Sequence, residues 1–81
     1  MEDQELLKRI SLDPKVMLGK PVVRGTRLTV EYVLGRLAHG TTASDLVEEY
    51  AGLSTDDIAA CLLFAGHSLS DTDYFPLAQA S

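Results

Sequence analysis

Three cations, Lys20, Arg24 and Arg27, lie within the run Gly19-Lys20-Pro21-Val22-Val23-Arg24-Gly25-Thr26-Arg27. Cations this dense on a loop-and-strand segment suit a phosphate or an acidic partner, because Lys and Arg bind phosphate by releasing its counterions. A nucleotide-hydrolysing loop is a different object. It needs four residues between its glycines and then Gly-Lys-Ser/Thr. Here five residues separate Gly19 from Gly25, and Arg24-Gly25-Thr26-Arg27 stands where the loop would be. A second reading keeps these side chains inside the fold. Arg24 and Arg27 would then pair with acids of the second half and tie the two halves together.

Other reactive side chains assemble no catalytic set. Asp56 and Asp57 are adjacent carboxylates, but their place at a helix start accounts for them as caps. His39 and His67 fall at helix ends, where dipole and solvent suit a histidine. Cys61 sits on an apolar stripe and reads as a buried, inert thiol. Ser11, Ser54 and Ser68 carry no Gly-x-Ser-x-Gly signature. One cysteine excludes an intramolecular disulfide and any zinc site of two cysteines. The expectation is a non-enzyme with no cofactor and no metal.

The elements that would position these residues centre on Thr42–Leu63. Thr42-Ala43-Ser44-Asp45 and Ser54-Thr55-Asp56-Asp57 both have the capping-box form ahead of an apolar run. Between them Ala51-Gly52-Leu53 reads as a hinge, with Gly52 left-handed and Leu53 packed into the angle. Two short helices joined in this way outline a helix-turn-helix. Ahead of them Thr29 caps a helix over Val30–Ala38, whose Val30, Val33, Leu34, Leu37 and Ala38 form one stripe. His39-Gly40 ends it. The next helix is expected over about Ala43–Tyr50. The last is expected over about Thr55–Ala65, burying Ile58, Cys61, Leu62 and Ala65 and closed by Gly66-His67-Ser68. Arg9–Leu12 and Val22-Val23 read as short strands, Asp13-Pro14 and Gly25 as turns. The predicted fold is mainly α, a small homeodomain-like helix-turn-helix of three to four helices with short N-terminal β-strands. Residues 1–8 read as a flexible N-terminus, 9–67 as the domain and 68–81 as a tail.

Hydrophobic residues form 46% of the 81-residue chain, enough for one small core. No apolar run reaches the ~18–20 residues of a membrane span, and the acidic start is unlike a signal peptide, so a cytoplasmic protein is expected. The net charge of −5 is unevenly divided. Residues 1–40 hold seven cations and five acids, a net +2. Residues 41–81 hold seven acids and no Lys or Arg, a net −7. DNA contact would therefore fall to Lys20, Arg24 and Arg27, with Ser54 and Thr55 at the exposed start of the last helix. Leu63 and Phe64 widen that helix's apolar face beyond one stripe, as for a helix covered by a partner or a second copy. In the tail, Asp71-Thr72-Asp73 precedes Tyr74, Phe75 and Leu77: this reads either as an acidic-aromatic segment that docks on a partner or as a tail that lays Phe75 on its own core.

Taken together, several runs resemble the bacterial family catalogued as domain of unknown function 433. They are Arg9-Ile10, Asp13-Pro14, Gly19–Val30, Leu37–Thr42, Leu46–Tyr50, Leu53-Ser54 and Asp57-Ile58, with Val16 and Ala60. The likeness spans about Arg9 to Ala65. Leu18 departs from it where a second glycine is common, Ala51 replaces a common proline, and nothing from Leu69 onward matches. The resemblance implies a compact helix-turn-helix antitoxin, a homodimer that neutralises a PIN-like ribonuclease toxin and binds its own promoter. Two alternatives stay open: a DNA-binding regulator without a toxin partner, and a homodimeric adaptor.

Overall fold

The computed structural model describes residues 1–70. In order these form α1 (Asp3–Leu7), β1 (Ile10–Ser11), a tight turn at Met17–Gly19, β2 (Val22–Val23), α2 (Val30–Ala38), α3 (Ala43–Glu49) and α4 (Thr55–Leu69). The fold is mainly helical, with one two-stranded antiparallel sheet near its N-terminus. Ile10 pairs with Val23 and Ser11 with Val22. None of the described helices is long and apolar enough to cross a membrane.

Each helix after the sheet starts at a side-chain cap. Thr29 accepts from the N–H of Tyr32 at 2.9 Å. Thr42 with Asp45 and Ser54 with Asp57 close reciprocal boxes, side chain to backbone in both directions. These caps set where the helices begin, and α4 does the rest. It packs on α1, α2, α3 and β1, so the core forms around it. Leu46, Val23, Val33 and Cys61 are its largest fully enclosed side chains.

Four expectations are corrected. Residues 1–8 contain a helix, and its Leu6 lies against the core, because α1 lays one apolar side on α4. Gly52 is not left-handed; the positive-φ glycines among the described residues are Gly19, Gly25 and Gly40. The turn is made instead by Tyr50, which leaves α3 extended, and by the Leu53 N–H bonding the Tyr50 carbonyl at 3.0 Å. Buried Leu53 then locks the angle. Third, α4 runs through Gly66-His67-Ser68 to Leu69. The Ser68 hydroxyl donates to the Phe64 carbonyl, and the Ser70 N–H to that of Gly66, so the ladder continues past the expected stop. Finally, Leu62 faces solvent at 54% exposure. The core side of α4 is Asp57, Ile58, Ala60 and Cys61, and the 100° step from Cys61 swings Leu62 outward.

Candidate functional site

The Gly19–Arg27 run resolves, residue by residue, into structural work and one remainder. Gly19 has φ +81°, and a Cβ there would lie 3.6 Å from the Pro14 backbone. The Pro21 carbonyl accepts from the N–H of Val30 at 2.9 Å and so holds the start of α2. Val22 and Val23 are buried in the sheet. Gly25 (φ +81°) sits third in the Val23–Thr26 turn, which the Thr26 N–H closes on the Val23 carbonyl at 3.0 Å. A type II turn requires positive φ at that position. The Thr26 hydroxyl donates to the same carbonyl at 2.7 Å and accepts from the Leu28 N–H at 3.0 Å.

Of the three cations, Lys20 pairs with Glu31 at 3.0 Å and the Arg24 Nε donates to the Lys8 carbonyl at 2.8 Å. Arg27 is exposed and makes no side-chain bond among the described residues. Among the described residues, neither Arg24 nor Arg27 reaches an acid of the second half. Among the described residues the ionic ties between the halves are Arg9 and Arg36, which spacing did not single out. Arg9 lies 3.1 Å from Asp57 and 3.7 Å from Asp56. Arg36 grips Glu49 with two bonds, at 2.8 and 3.0 Å.

Arg27 stands over an open groove of about 630 Å³ walled by Met17, Leu18, Leu28, Thr29, Tyr32 and Tyr50, with Lys20 at its edge. Two features shape it. The tyrosine hydroxyls meet at 2.5 Å, their rings edge-on at 6.2 Å. Arg36 donates to the Tyr32 hydroxyl at 2.7 Å and fixes that ring from outside the groove. The bond from Tyr32 holds the Tyr50 hydroxyl in its neutral form and pushes its pKa up to about 12; Tyr32, bonded by Tyr50 and Arg36, is lowered. Opposite, Met17 and Leu18 take φ of +48° and +59°, a left-handed turn closed by the Gly19 N–H on the Val16 carbonyl and the Lys20 N–H on that of Met17. This leaves Leu18 94% exposed.

On α4 the expected DNA residues have other duties or poor surroundings. Ser54 is half-buried, and its hydroxyl accepts from the Asp57 N–H at 3.2 Å. Thr55 is exposed but is followed by Asp56 and Asp57. The outer line of the helix runs Thr55, Ala59, Leu62, Gly66 and Leu69 at helical spacing, without a cation. Leu63 is half-buried. Phe64 leans on the core from one side and borders two apolar clefts. Tyr74, Phe75 and Leu77 lie outside the described residues. Cys61 is enclosed, and burial with Asp57 nearby raises its thiol to about 11.

The family model described as "Protein of unknown function (DUF433)" matches residues 10–65. The chain belongs to this family. A crystal structure of a DUF433 member protein from Anabaena variabilis ATCC 29413 is similar in fold, with a TM-score of 0.73 at 25% identity. The alignment covers 83% of this chain and 66% of that one, so this DUF433 domain spans just under two thirds of its structural neighbour. No curated protein matches it.

Proposed function

We propose that the chain is an antitoxin-like protein that binds and neutralises a PIN-like ribonuclease through the outer face of α4. The observation that carries this reading is the line Ala59, Leu62, Gly66 and Leu69. In a DNA-reading helix-turn-helix this helix would enter the groove, and phosphates would call for Lys and Arg there. It has neither, and its start carries Asp56 and Asp57. An apolar line on a helix is better matched by a protein surface. The net −7 of residues 41–81 complements a ribonuclease, whose RNA channel is basic.

Promoter binding is the second part of the reading, and it rests on Lys20, Arg24 and Arg27. Among the described residues, Arg27 alone of these three has no side-chain bond, so promoter binding is weak beside the protein contact.

The test is a nuclease-treated pull-down of the tagged chain from its native extract at moderate salt. Mass spectrometry of the retained protein and an RNA-cleavage assay follow. A ribonuclease retained in fixed ratio, with its cleavage suppressed by the added chain, is the expected result. Leu62→Glu abolishes retention while leaving the circular dichroism spectrum intact. Material retained only in a parallel pull-down without nuclease overturns the reading in favour of a promoter binder. Recovery of the chain alone as a stable dimer leaves a homodimeric adaptor.

A further inference from the structure

We infer that the groove between the Met17–Gly19 turn and the Tyr32–Tyr50 pair is a second docking site, for an acidic peptide segment carrying an apolar anchor. This goes beyond the α4 reading: it uses the other, basic half of the chain and a different face. The first observation is backbone geometry. Met17 and Leu18 are both held left-handed, a region that crowds Cβ against the following carbonyl and that side-chain-bearing residues seldom enter. Strain of this kind persists where the surroundings enforce it, and it gathers at binding sites. Burial of Leu18 offers no return for it, since that side chain is 94% exposed. The turn therefore presents a leucine to solvent at the lip of an open, mostly apolar groove.

The second observation is charge. Arg27 has no bond through its side chain among the described residues, and Lys20 is shared only with an exposed Glu31. These are two cations on a protein whose net charge is −5. An acidic segment is repelled by the net −7 of residues 41–81 and drawn to this groove, so charge directs it here. Nucleic acid fits less well. Both tyrosine hydroxyls are already bonded to each other, and apolar Met17, Leu18 and Leu28 make no contact with a phosphate backbone. In the bound state a carboxylate meets Arg27, and a leucine or aromatic side chain of the peptide seats between Leu18 and Leu28.

The experiment is fluorescence anisotropy with the full chain and short labelled peptides. Each has a central Leu, Phe or Tyr flanked by Asp, and each has a matched control flanked by Lys. At least one Asp-flanked peptide binds roughly tenfold or more tightly than its control, and Arg27→Glu removes the difference. Arg27→Gln, which keeps the side chain's bulk, gives an intermediate loss. Leu18→Gly weakens binding severalfold yet raises the melting temperature by a few degrees, about what relief of one left-handed residue gives a domain of this size. A merely structural turn would leave affinity unchanged in that variant. Three results overturn the inference: equal binding of Asp- and Lys-flanked peptides, unchanged affinity in Leu18→Gly, or binding of a single-stranded RNA oligomer with no acidic peptide bound. Leu62→Glu leaves peptide binding intact, so this site and the α4 reading stand or fall separately.

Discussion

The guanidinium of Arg9 lies 3.1 Å from the carboxylate of Asp57, joining residues 48 positions apart. Asp57 is buried and uses both oxygens: Oδ1 receives Arg9 and Oδ2 accepts the Ser54 N–H at 2.9 Å. One side chain thus caps α4 and fastens the N-terminal segment to it. Breaking such a pair leaves a carboxylate that desolvation penalises.

Arg9→Ala is expected to cost about 1–3 kcal/mol, less than for a fully buried pair because the arginine is one-third exposed. Asp57→Ala costs more, since the cap is lost too, while Asp56→Ala stays within about 0.5 kcal/mol. Urea denaturation of the three variants gives the order.

Leu46→Ala should cost about 2–5 kcal/mol, because Leu46 is fully enclosed and its removal opens a cavity. Leu62→Ala, on a side chain that is 54% exposed, should change stability by under about 1 kcal/mol. A comparable loss in both would mean that the outer line of α4 is covered in the free protein.

Cys61 should resist a disulfide-exchange reagent at pH 8. Its thiol is pushed up to about 11, so little thiolate forms, and the side chain is enclosed. Labelling should track global unfolding and accelerate only near the urea midpoint.

Arg36 holds the Glu49 carboxyl below its ordinary value, chiefly through their hydrogen bonds. A carboxyl depressed in the folded state stabilises above the ordinary carboxylate range. That contribution fades as pH falls through and below this range. Glu49→Gln should therefore flatten the acid limb of stability against pH, and thermal melts between pH 7 and pH 3 measure the slope.

Tyr50, raised to about 12 by its bond to Tyr32, should ionise later than a free phenol in an ultraviolet titration. Its stabilising share is whole below the ordinary phenol range and is lost as pH climbs toward 12. Tyr32→Phe should return Tyr50 toward the ordinary value.

What was legible in the sequence was local chemistry. Thr42 and Ser54 announce α3 and α4 because a cap and its partner lie three residues apart. The bounds of α2 and the β2 strand follow from spacing and β-branching in the same way. Arg9 and Arg36 escaped notice because their partners come from distant segments, and no periodicity encodes such a pairing. For the groove, Lys20 and Arg27 stood out by charge. Tyr32 and Tyr50 did not, since only the folded chain brings α2 and the end of α3 together. Nothing in the spacing marks Leu18 as left-handed. The resemblance departs from glycine at that position, and the position is left-handed. α4 ran long because Gly66 keeps a helical backbone and the ladder passes it, up to the Ser70 N–H on the Gly66 carbonyl.

α1, α2 and α3 each pack chiefly on α4, which begins only at Thr55 and also backs β1. During synthesis, some fifty residues therefore leave the ribosome before the surface they fold onto exists. The same dependence applies to cleavage: a cut within α4 is expected to leave no stably folded fragment on either side.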